Sequence, residues 1–274
     1  MPEGHTLHGL ARDQTDRFAG KRVQVSSPQG RFAEGAALVD GRVLDSVTAH
    51  GKHLFAAFGE RIVHVHLGLF GKYVAGQGSP PEARGALRMR WVVDGFWTDL
   101  RGATACEVLT PAEAEAILAR LGPDPLRRRP NADAAYARIS RSRAPIAGLL
   151  MDQKVLSGVG NVYRAEILFR HQIAPYLPGR ELTQDQWAAL WSDLVTLMRA
   201  GLRTGRIVTT LPLHRGRRSG YVRAADALYV YRRTGLPCRI CGTPVAMRLL
   251  SLRKLYWCPT CQAGPLPPPV SHQV

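Results

Sequence analysis

Four cysteines near the C-terminal end constrain the fold more than any other feature of the chain. Cys238 and Cys241 form one pair, and Cys258 and Cys261 form a second, in the pattern C-x2-C-x16-C-x2-C. This spacing is typical of zinc ribbons, because each C-x2-C turn presents two thiolates and two turns complete a tetrahedral shell. Such a shell leaves no open position, so we predict one structural Zn²⁺ ion that holds the hairpin between the pairs.

Two disulfides are the alternative for these cysteines, and they would require an oxidising compartment. The first residues, Met1 to His5, have no basic region, and no apolar signal segment follows them. No apolar run approaches the roughly 18 residues that a membrane helix needs. We therefore expect a cytoplasmic protein with reduced cysteines and no membrane partner. Cys106, the fifth cysteine, lies in an apolar run and is expected to be a small buried side chain.

Positive charge is concentrated in the last quarter of the chain. The 274 residues carry a formal net charge of +16, with 37 Lys and Arg against 21 Asp and Glu. Residues 199–274 hold 13 of those basic side chains and a single acidic one, Asp226. Such a segment favours a polyanion as partner, and a nucleic acid backbone is the natural one. A solvated basic face would have the same composition.

The hydrophobic pattern predicts an α+β protein that begins with an antiparallel β-sandwich flanked by helices. Leu7, Leu10, Ala11 and Phe18 share one face of a first helix, which ends near Gly20. Short β-rich runs follow at 22–25, 42–48, 53–58, 61–67, 87–93 and 104–109. A capping box, with Thr110 as N-cap and Glu113 three residues later, then predicts a second helix that ends at Gly122. We assign residues 1–122 to this domain.

The rest of the chain is predicted to form a linker, a helical domain, a zinc hairpin and a tail. Residues 123–133 are rich in Pro and Arg and form the predicted linker. Helices are predicted at 146–151, 161–171 and 183–202, inside a domain of residues 134–235, with a short strand at 228–231. Residues 236–264 form the zinc hairpin, and residues 265–274 a disordered tail.

A glycine-rich turn, from Gly158 to Gly160, precedes the predicted helix that opens at Asn161. With Asn161 as its N-cap, the helix would offer backbone N–H donors to an anion. Alone this signal is weak, but beside a basic zinc hairpin it favours phosphate binding.

Two histidines alternate with valines in one predicted strand. His64 and His66 therefore share a face, and we expect them to be strand-face or phosphate-contacting residues rather than metal ligands.

The opening residues suggest a nucleophile. Methionine is normally removed ahead of a small residue, which leaves Pro2 as a secondary amine at the start of the chain. An α-amino group has a pKa near 8, so part of it is neutral at physiological pH and can attack an electrophilic carbon. Attack on a sugar anomeric carbon would give an iminium, with Glu3 as acid/base candidate. Many proteins begin Met-Pro without such chemistry.

Four separated segments resemble the formamidopyrimidine-DNA glycosylase/endonuclease VIII family of base-excision repair enzymes. They are MPEG at the start, HGKHL around Lys52, MDQKVLSGVGN at 151–161 and LSLRKLYWCPTCQ at 250–262. The opening MPEGHT is most similar to actinobacterial members of the endonuclease VIII branch, whereas Lys154 is more similar to the formamidopyrimidine branch. The resemblance implies a helix-two-turns-helix domain followed by a β-hairpin zinc finger, in a monomer that acts on damaged double-stranded DNA in a bacterial nucleoid.

The resemblance also implies catalytic roles. It identifies a bifunctional enzyme that flips out an oxidised base, cuts its glycosidic bond and nicks the strand by β,δ-elimination. Pro2 would form the Schiff base and Glu3 would protonate the sugar oxygen or the leaving group. Lys52 would assist β-elimination and Arg253 δ-elimination. Without the resemblance, Lys52 would be a solvated charge and Arg253 one phosphate contact among several.

Further positions are implied to contact DNA. Gly68, Leu69 and Phe70 would enter the space that the flipped base leaves, where an apolar wedge replaces lost stacking. Arg101 would help to fill the gap opposite the orphaned base. Asn161 would hold a phosphate beside the lesion, and Arg120 and Lys154 would be further DNA-contacting positions.

One departure from the family pattern concerns the substrate. Members usually carry a second N-terminal carboxylate where this chain has Thr6, which cannot shuttle a proton. Residues 204–223 also do not resemble the lesion-recognition loop of the formamidopyrimidine branch, so oxidised pyrimidines are the favoured substrates. The alternatives are an AP lyase with weak glycosylase activity, or a noncatalytic zinc-containing DNA-binding protein.

Overall fold

The structure, a computed structural model, describes residues 2–265 and divides into two compact units, Met1–Leu121 and Gly122–Val274. Apart from Pro265, the predicted tail at 265–274 lies outside the described residues. Within residues 2–265, no helix combines the length and apolar character that a membrane crossing requires.

The N-terminal unit contains two antiparallel sheets and three helices. The helices are α1 (Gly4–Phe18), α2 (Ala33–Val39) and α3 (Pro111–Ala119). The strands are β1 (Arg22–Ser26), β2 (Arg42–Val43), β3 (Ser46–His50), β4 (His53–Phe58), β5 (Arg61–His66), β6 (Lys72–Gln77), β7 (Leu87–Val93), β8 (Phe96–Arg101) and β9 (Ala105–Leu109). One sheet has the order β2-β1-β7-β8-β6 and the other β3-β4-β5-β9.

A single apolar core joins the two sheets, as a sandwich requires. Trp91 is fully buried and makes edge-on contacts with Phe18 of α1 and Phe58 of β4, with ring centroids 5.8 Å apart in both pairs. The predicted α+β class and sandwich are confirmed. The helix that begins after Thr110 is also confirmed, including both hydrogen bonds of its capping box.

Three elements of this unit are absent from the sequence prediction. α2 has only seven residues, with Gly35 in its middle, and just Ala36 and Val39 are buried. β6 is mostly exposed and lacks the alternation that marks a half-buried strand. β8 follows β7 after the tight Asp94-Gly95 turn, and four of its six residues are buried, so it too lacks alternation.

The C-terminal unit is helical and ends in a strand pair. Its helices are α4 (Ala132–Ile139), α5 (Ile146–Leu149), α6 (Asn161–Arg170) and α7 (Gln184–Thr204), and its strands are β10 (Ala246–Leu250) and β11 (Arg253–Trp257). The buried face of α7 carries Trp187, Leu190, Trp191, Leu194 and Met198, as its pattern predicts. Thr183 and Gln186 make both bonds of the second predicted capping box.

The predicted strand at 228–231 is wrong. The backbone N–H groups of Tyr229, Val230 and Tyr231 donate to the carboxylate of Glu166 instead, at 2.7, 2.8 and 2.8 Å. The Thr209 hydroxyl also donates to this fully buried carboxylate. Glu166 on α6 therefore anchors both ends of the basic segment between α7 and the zinc hairpin, which no local pattern reveals.

Candidate active site and nucleic-acid interface

The proposed nucleophile and acid stand at the start of α1. Glu3 is the N-cap of the helix, has an extended backbone and is fully buried. Its carbonyl accepts a hydrogen bond from the Thr6 N–H at 2.9 Å, and the half-buried Pro2 precedes it. The first turn of a rigid helix therefore positions both residues, since α1 packs against β3 and β4.

Lys52 lies in the two-residue turn between β3 and β4. His50 and His53 pair across this turn, and Gly51 supplies the left-handed backbone with φ +57°. The Lys52 side chain is half-buried, and its positive charge contributes to lowering the pKa values of His53 and His66. The Lys52 charge therefore lies close enough to these two histidines to disfavour their protonated forms.

The predicted DNA wedge is an exposed turn that follows β5. Leu69 is 45% exposed and Phe70 86% exposed, although both are large and apolar. Gly68 has φ +66° and lies against Thr104, so that a side chain at Gly68 would meet the threonine hydroxyl. The Gly71 N–H donates to the Leu67 carbonyl at 2.9 Å and closes the turn. The fold thus holds two apolar side chains in solvent on a well-defined support.

Arg101 is held by a buried acidic residue. Asp99 is 1% exposed and receives two hydrogen bonds from Arg90, at 2.7 and 3.0 Å, and a third from Arg101 at 3.0 Å. Arg101 also donates to the Arg84 carbonyl. Arg120 is the C-cap of α3, and its exposed side chain donates to the Ala116 carbonyl at 3.2 Å. Arg101 is therefore preorganised, whereas Arg120 lies on the surface.

Sequence reasoning missed a hydrogen-bonded histidine chain on the sheet β3-β4-β5-β9. His64 Nδ1 is 2.9 Å from Glu107 Oε1, and His64 Nε2 is 2.9 Å from His53 Nδ1. An ionised Glu107 only accepts, so His64 donates from Nδ1; a neutral His64 then accepts from His53. The His66 ring also contacts His53, in a tilted arrangement with ring centroids 4.8 Å apart. The alternation predicted that His64 and His66 share a face, but it could not bring in His53 or Glu107 from neighbouring strands.

Buried histidines should make the N-terminal unit sensitive to acid. Burial, and secondarily the amino terminus, lowers the pKa of His5 to about 4. Burial and the charges of His66, His64, His50 and Lys52 lower the pKa of His53 to about 3. In an unfolded chain the pKa of histidine is about 6.5. At pH values between the lowered pKa values and 6.5, the unfolded state binds more protons than the folded state, so the free energy of unfolding falls as the pH falls.

We expect acidification from pH 6.5 to 5 to reduce the free energy of unfolding by on the order of 2 kcal/mol for His5 alone, with His53 adding in the same direction. Hydrogen exchange across Met1–Leu121 at the two pH values measures the effect. His53→Phe should flatten the pH dependence. Protection that is constant or higher at pH 5 would contradict the burial of neutral histidines.

Asn161 does not cap its helix, contrary to the prediction. Gly160 is the N-cap, and Asn161 is the first helical residue of α6, 6% exposed. Its side-chain amide donates to the Lys254 carbonyl at 2.8 Å, and its carbonyl oxygen accepts from Arg164. Arg164 also donates to the Lys254 carbonyl, at 3.1 Å. Asn161 does not act as the N-cap because its side chain bonds to the Lys254 carbonyl instead, which joins the start of α6 to strand β11.

The turn before α6 is built around Gln153. Its side-chain amide donates to the carbonyls of Met151 and Val159 at 2.9 and 3.1 Å, and its oxygen accepts from the Gly158 N–H at 3.0 Å. The backbone N–H of Lys154 donates to the Asp152 carboxylate at 2.9 Å, while the lysine side chain is exposed. The turn therefore holds Lys154 in a fixed place on the surface.

The four predicted cysteine ligands converge. Their sulfur atoms all lie within 4.8 Å of one another, with Cys238 and Cys261 at 3.8 Å and Cys241 and Cys258 at 3.4 Å. A tetrahedral ion with metal–sulfur bonds of about 2.3 Å places its sulfurs about 3.8 Å apart, whereas a disulfide requires about 2.05 Å. The geometry fits one metal ion and excludes disulfides. Cys106 lies apart in β9, and burial raises its pKa to about 12.

The strand pair between the cysteines carries the predicted basic residues. β10 and β11 pair from Ala246 with Trp257 to Leu250 with Arg253. Arg248, Arg253 and Lys254 lie on this hairpin and are exposed, whereas Leu255, Tyr256 and Trp257 are buried at its other end. The hairpin therefore presents positive charge on a supported strand pair.

The comparisons with known proteins agree along the chain. Residues 1–106 match the family model of the formamidopyrimidine-DNA glycosylase N-terminal domain, and residues 121–212 match that of its H2TH domain. Endonuclease 8 1 of Mycobacterium tuberculosis is 51% identical over 267 residues, which cover 96% of this chain and 100% of the relative. Formamidopyrimidine-DNA glycosylase of Geobacter sulfurreducens is 33% identical, with the same coverage of both chains.

Solved structures support the fold. The MutM (Fpg) protein of Thermus thermophilus is 28% identical, covers 96% of this chain and 100% of its own, and has a TM-score of 0.78. A Lactococcus lactis Fpg complex with abasic-site DNA, 17% identical with the same coverage, has a TM-score of 0.80. With both domains matched and a 51% identical relative, the chain belongs to the formamidopyrimidine-DNA glycosylase/endonuclease VIII family of DNA glycosylases with AP lyase activity.

Proposed function

We propose that the protein removes oxidised bases, pyrimidines in preference to purines, from duplex DNA and nicks the strand by β,δ-elimination. The observation that carries this proposal is the start of α1, where Pro2 stands directly before the fully buried Glu3. A pure DNA-binding protein has no need of an amine and a buried carboxylate at this place.

The reaction begins with the Pro2 nitrogen. Its lone pair attacks C1′ of the flipped nucleotide and the bond from C1′ to the base breaks, so that the base leaves and the nitrogen loses its proton. The C1′–O4′ bond then breaks, which opens the sugar ring and gives the iminium. Glu3 supplies the proton that the leaving group or the sugar oxygen takes up. The resulting iminium acidifies C2′. Loss of a C2′ proton, assisted by Lys52, expels the 3′ phosphate in β-elimination, and Arg253 assists the δ-elimination that expels the 5′ phosphate. Water then releases the sugar fragment and regenerates the amine.

DNA contacts come from both units. Gly68, Leu69 and Phe70 enter the space that the flipped base leaves, and the exposure of Leu69 and Phe70 supports this role. Arg101, preorganised by Asp99, helps to fill the gap. Asn161 holds a phosphate beside the lesion, and Arg120 and Lys154 are further DNA contacts. We propose that the protein acts as a monomer on the bacterial nucleoid.

The cysteine cluster would hold Zn²⁺, for which four thiolates in a closed shell are typical. Cys238, Cys241, Cys258 and Cys261 would be the ligands. The ion supplies no chemistry to the reaction; its role is to fix the hairpin that carries Arg253.

Thr6 distinguishes this proposal from its closest alternative. Its backbone N–H donates to the backbone carbonyl of Glu3, and its hydroxyl lies 3.4 Å from His5 Nε2. Because a hydroxyl cannot replace the missing carboxylate, the second candidate function is an AP lyase with weak glycosylase activity.

Duplexes that contain 5-hydroxyuracil, 8-oxoguanine or an abasic site test the proposal. We expect cleavage at 5-hydroxyuracil to exceed that at 8-oxoguanine, with 3′-phosphate ends from β,δ-elimination. Glu3→Gln should slow base removal about 10²–10⁴-fold and leave abasic-site nicking largely intact, since only the first step needs its proton. Nicking at abasic sites alone supports the second candidate, and binding without nicking of any substrate would contradict both.

A further inference from the structure

The tip of the zinc hairpin combines two unfavourable features. Ser251 and Leu252 form the two-residue turn between Leu250 and Arg253, and both have left-handed backbones, with φ +48° and +60°. Such turns normally carry Asn-Gly, because a bulky side chain is strained in this region. Leu252 is also 93% exposed, more than any other large apolar side chain in residues 2–265. A strained and solvated leucine stabilises neither the hairpin nor a core.

The surroundings of Leu252 are basic. Arg253 and Lys254 follow it directly, and Arg248 lies on the facing strand. Residues 227–274 contain no Asp or Glu. An apolar tip between cations is complementary to a partner that combines stacked apolar rings with flanking negative charge, which describes a nucleic acid groove and not a typical protein surface.

The tip stands on a rigid base. The Lys254 carbonyl, two residues from Leu252, accepts hydrogen bonds from Asn161 and Arg164 of α6. At the other end of β11, Leu255 and Trp257 join the apolar core of the helical unit, and Cys258 joins the cysteine cluster. The hairpin can therefore insert a tip side chain between bases while these hydrogen bonds and core contacts stay in place.

We propose that Leu252 is a second apolar wedge, which enters the minor groove of duplex DNA and partly unstacks one base step. Arg253 and Lys254 contact the phosphates on either side. The inference rests on the proposed function, because it assumes that the zinc hairpin docks on duplex DNA. It adds a determinant of DNA deformation that is carried by a different unit from the Leu69–Phe70 turn.

Leu252→Gly separates the wedge from a structural role. Glycine relieves the left-handed strain, so Tm should rise by about 2–4 °C. The same change removes the wedge, so the Kd for a lesion-containing duplex should rise about tenfold or more. The salt dependence of Kd should keep its slope, because leucine releases no counterions. Arg253→Gln, in contrast, should lower that slope by about one unit.

Leu249→Ala is the matched control, since Leu249 lies on the same hairpin and is 66% exposed but outside the tip. Its Kd should change less than twofold. A 2-aminopurine placed along the duplex should gain fluorescence with the unmodified protein and with Leu249→Ala, but not with Leu252→Gly.

Two results would overturn the inference and leave the proposed function standing. One is unchanged affinity and fluorescence with Leu252→Gly when the unmodified protein binds; the other is an equal loss with Leu249→Ala. Failure of the unmodified protein to bind any damaged duplex would overturn both.

Discussion

Pro2→Leu is expected to abolish covalent trapping of an abasic-site duplex by borohydride. Methionine is retained ahead of a large residue, so the amine is displaced along the chain by one residue, about 3.8 Å. A misplacement of a reacting group by about 1 Å can lower a reaction rate about 10²-fold. The trapping rate should therefore fall by at least this factor. Gel separation of the cross-linked species measures the rate.

Pro2→Gly is the control for processing, because methionine is still removed and a terminal amine remains. A secondary amine gives an iminium that is cationic without a further proton, whereas glycine gives a neutral imine. Trapping should therefore be slower than with Pro2 but faster than with Pro2→Leu. Both variants should bind the duplex like the unmodified protein. Equal trapping by all three proteins would assign the nucleophile elsewhere, with Lys52 the first amine to test.

Cys258→Ser is expected to release the metal and to abolish tight DNA binding, with the N-terminal unit still folded. Cys258 is fully buried, and its sulfur lies 3.4 Å from that of Cys241. A structural zinc site contributes about 10–16 kcal/mol, more than the stability of a typical domain, so the hairpin should unfold without it. Loss of the phosphate contacts of Arg253 and Lys254 should weaken binding at least a hundredfold.

The experiment compares metal content, hydrogen exchange and Kd in Cys258→Ser and Cys106→Ser. Cys106 lies in β9 and is not a member of the cysteine cluster, so its replacement should leave metal content and Kd unchanged. Exchange in Met1–Leu121 should be the same in Cys258→Ser as in the unmodified protein. Tight lesion binding by Cys258→Ser would contradict the zinc hairpin as a DNA contact.

Local patterns carried most of what the sequence could predict. The two C-x2-C pairs bring their own sulfurs together from single turns, and the spacing between them leaves room for one hairpin, which is β10 and β11. The capping boxes at Thr110 and Thr183 are each contained within four residues, and both form. Such features need no information about distant parts of the chain.

The failures depend on partners that are far apart in sequence. Residues 229–231 do not form a strand because Glu166, more than 60 positions earlier, accepts their N–H groups. Asn161 does not cap α6 because Lys254, 93 positions later, accepts from its amide. The chain from Glu107 through His64 to His53 crosses three strands. Composition and periodicity carry no information about these pairings.

We propose that the Pro2 nitrogen forms the covalent bond to DNA. The most direct measurement is mass spectrometric mapping of the borohydride-trapped adduct after nuclease and protease digestion. We expect a reduced sugar fragment on the peptide that begins at Pro2, with no Met1, attached at its amino nitrogen. A fragment on Lys52 or another lysine, with an unmodified Pro2 peptide, would contradict it.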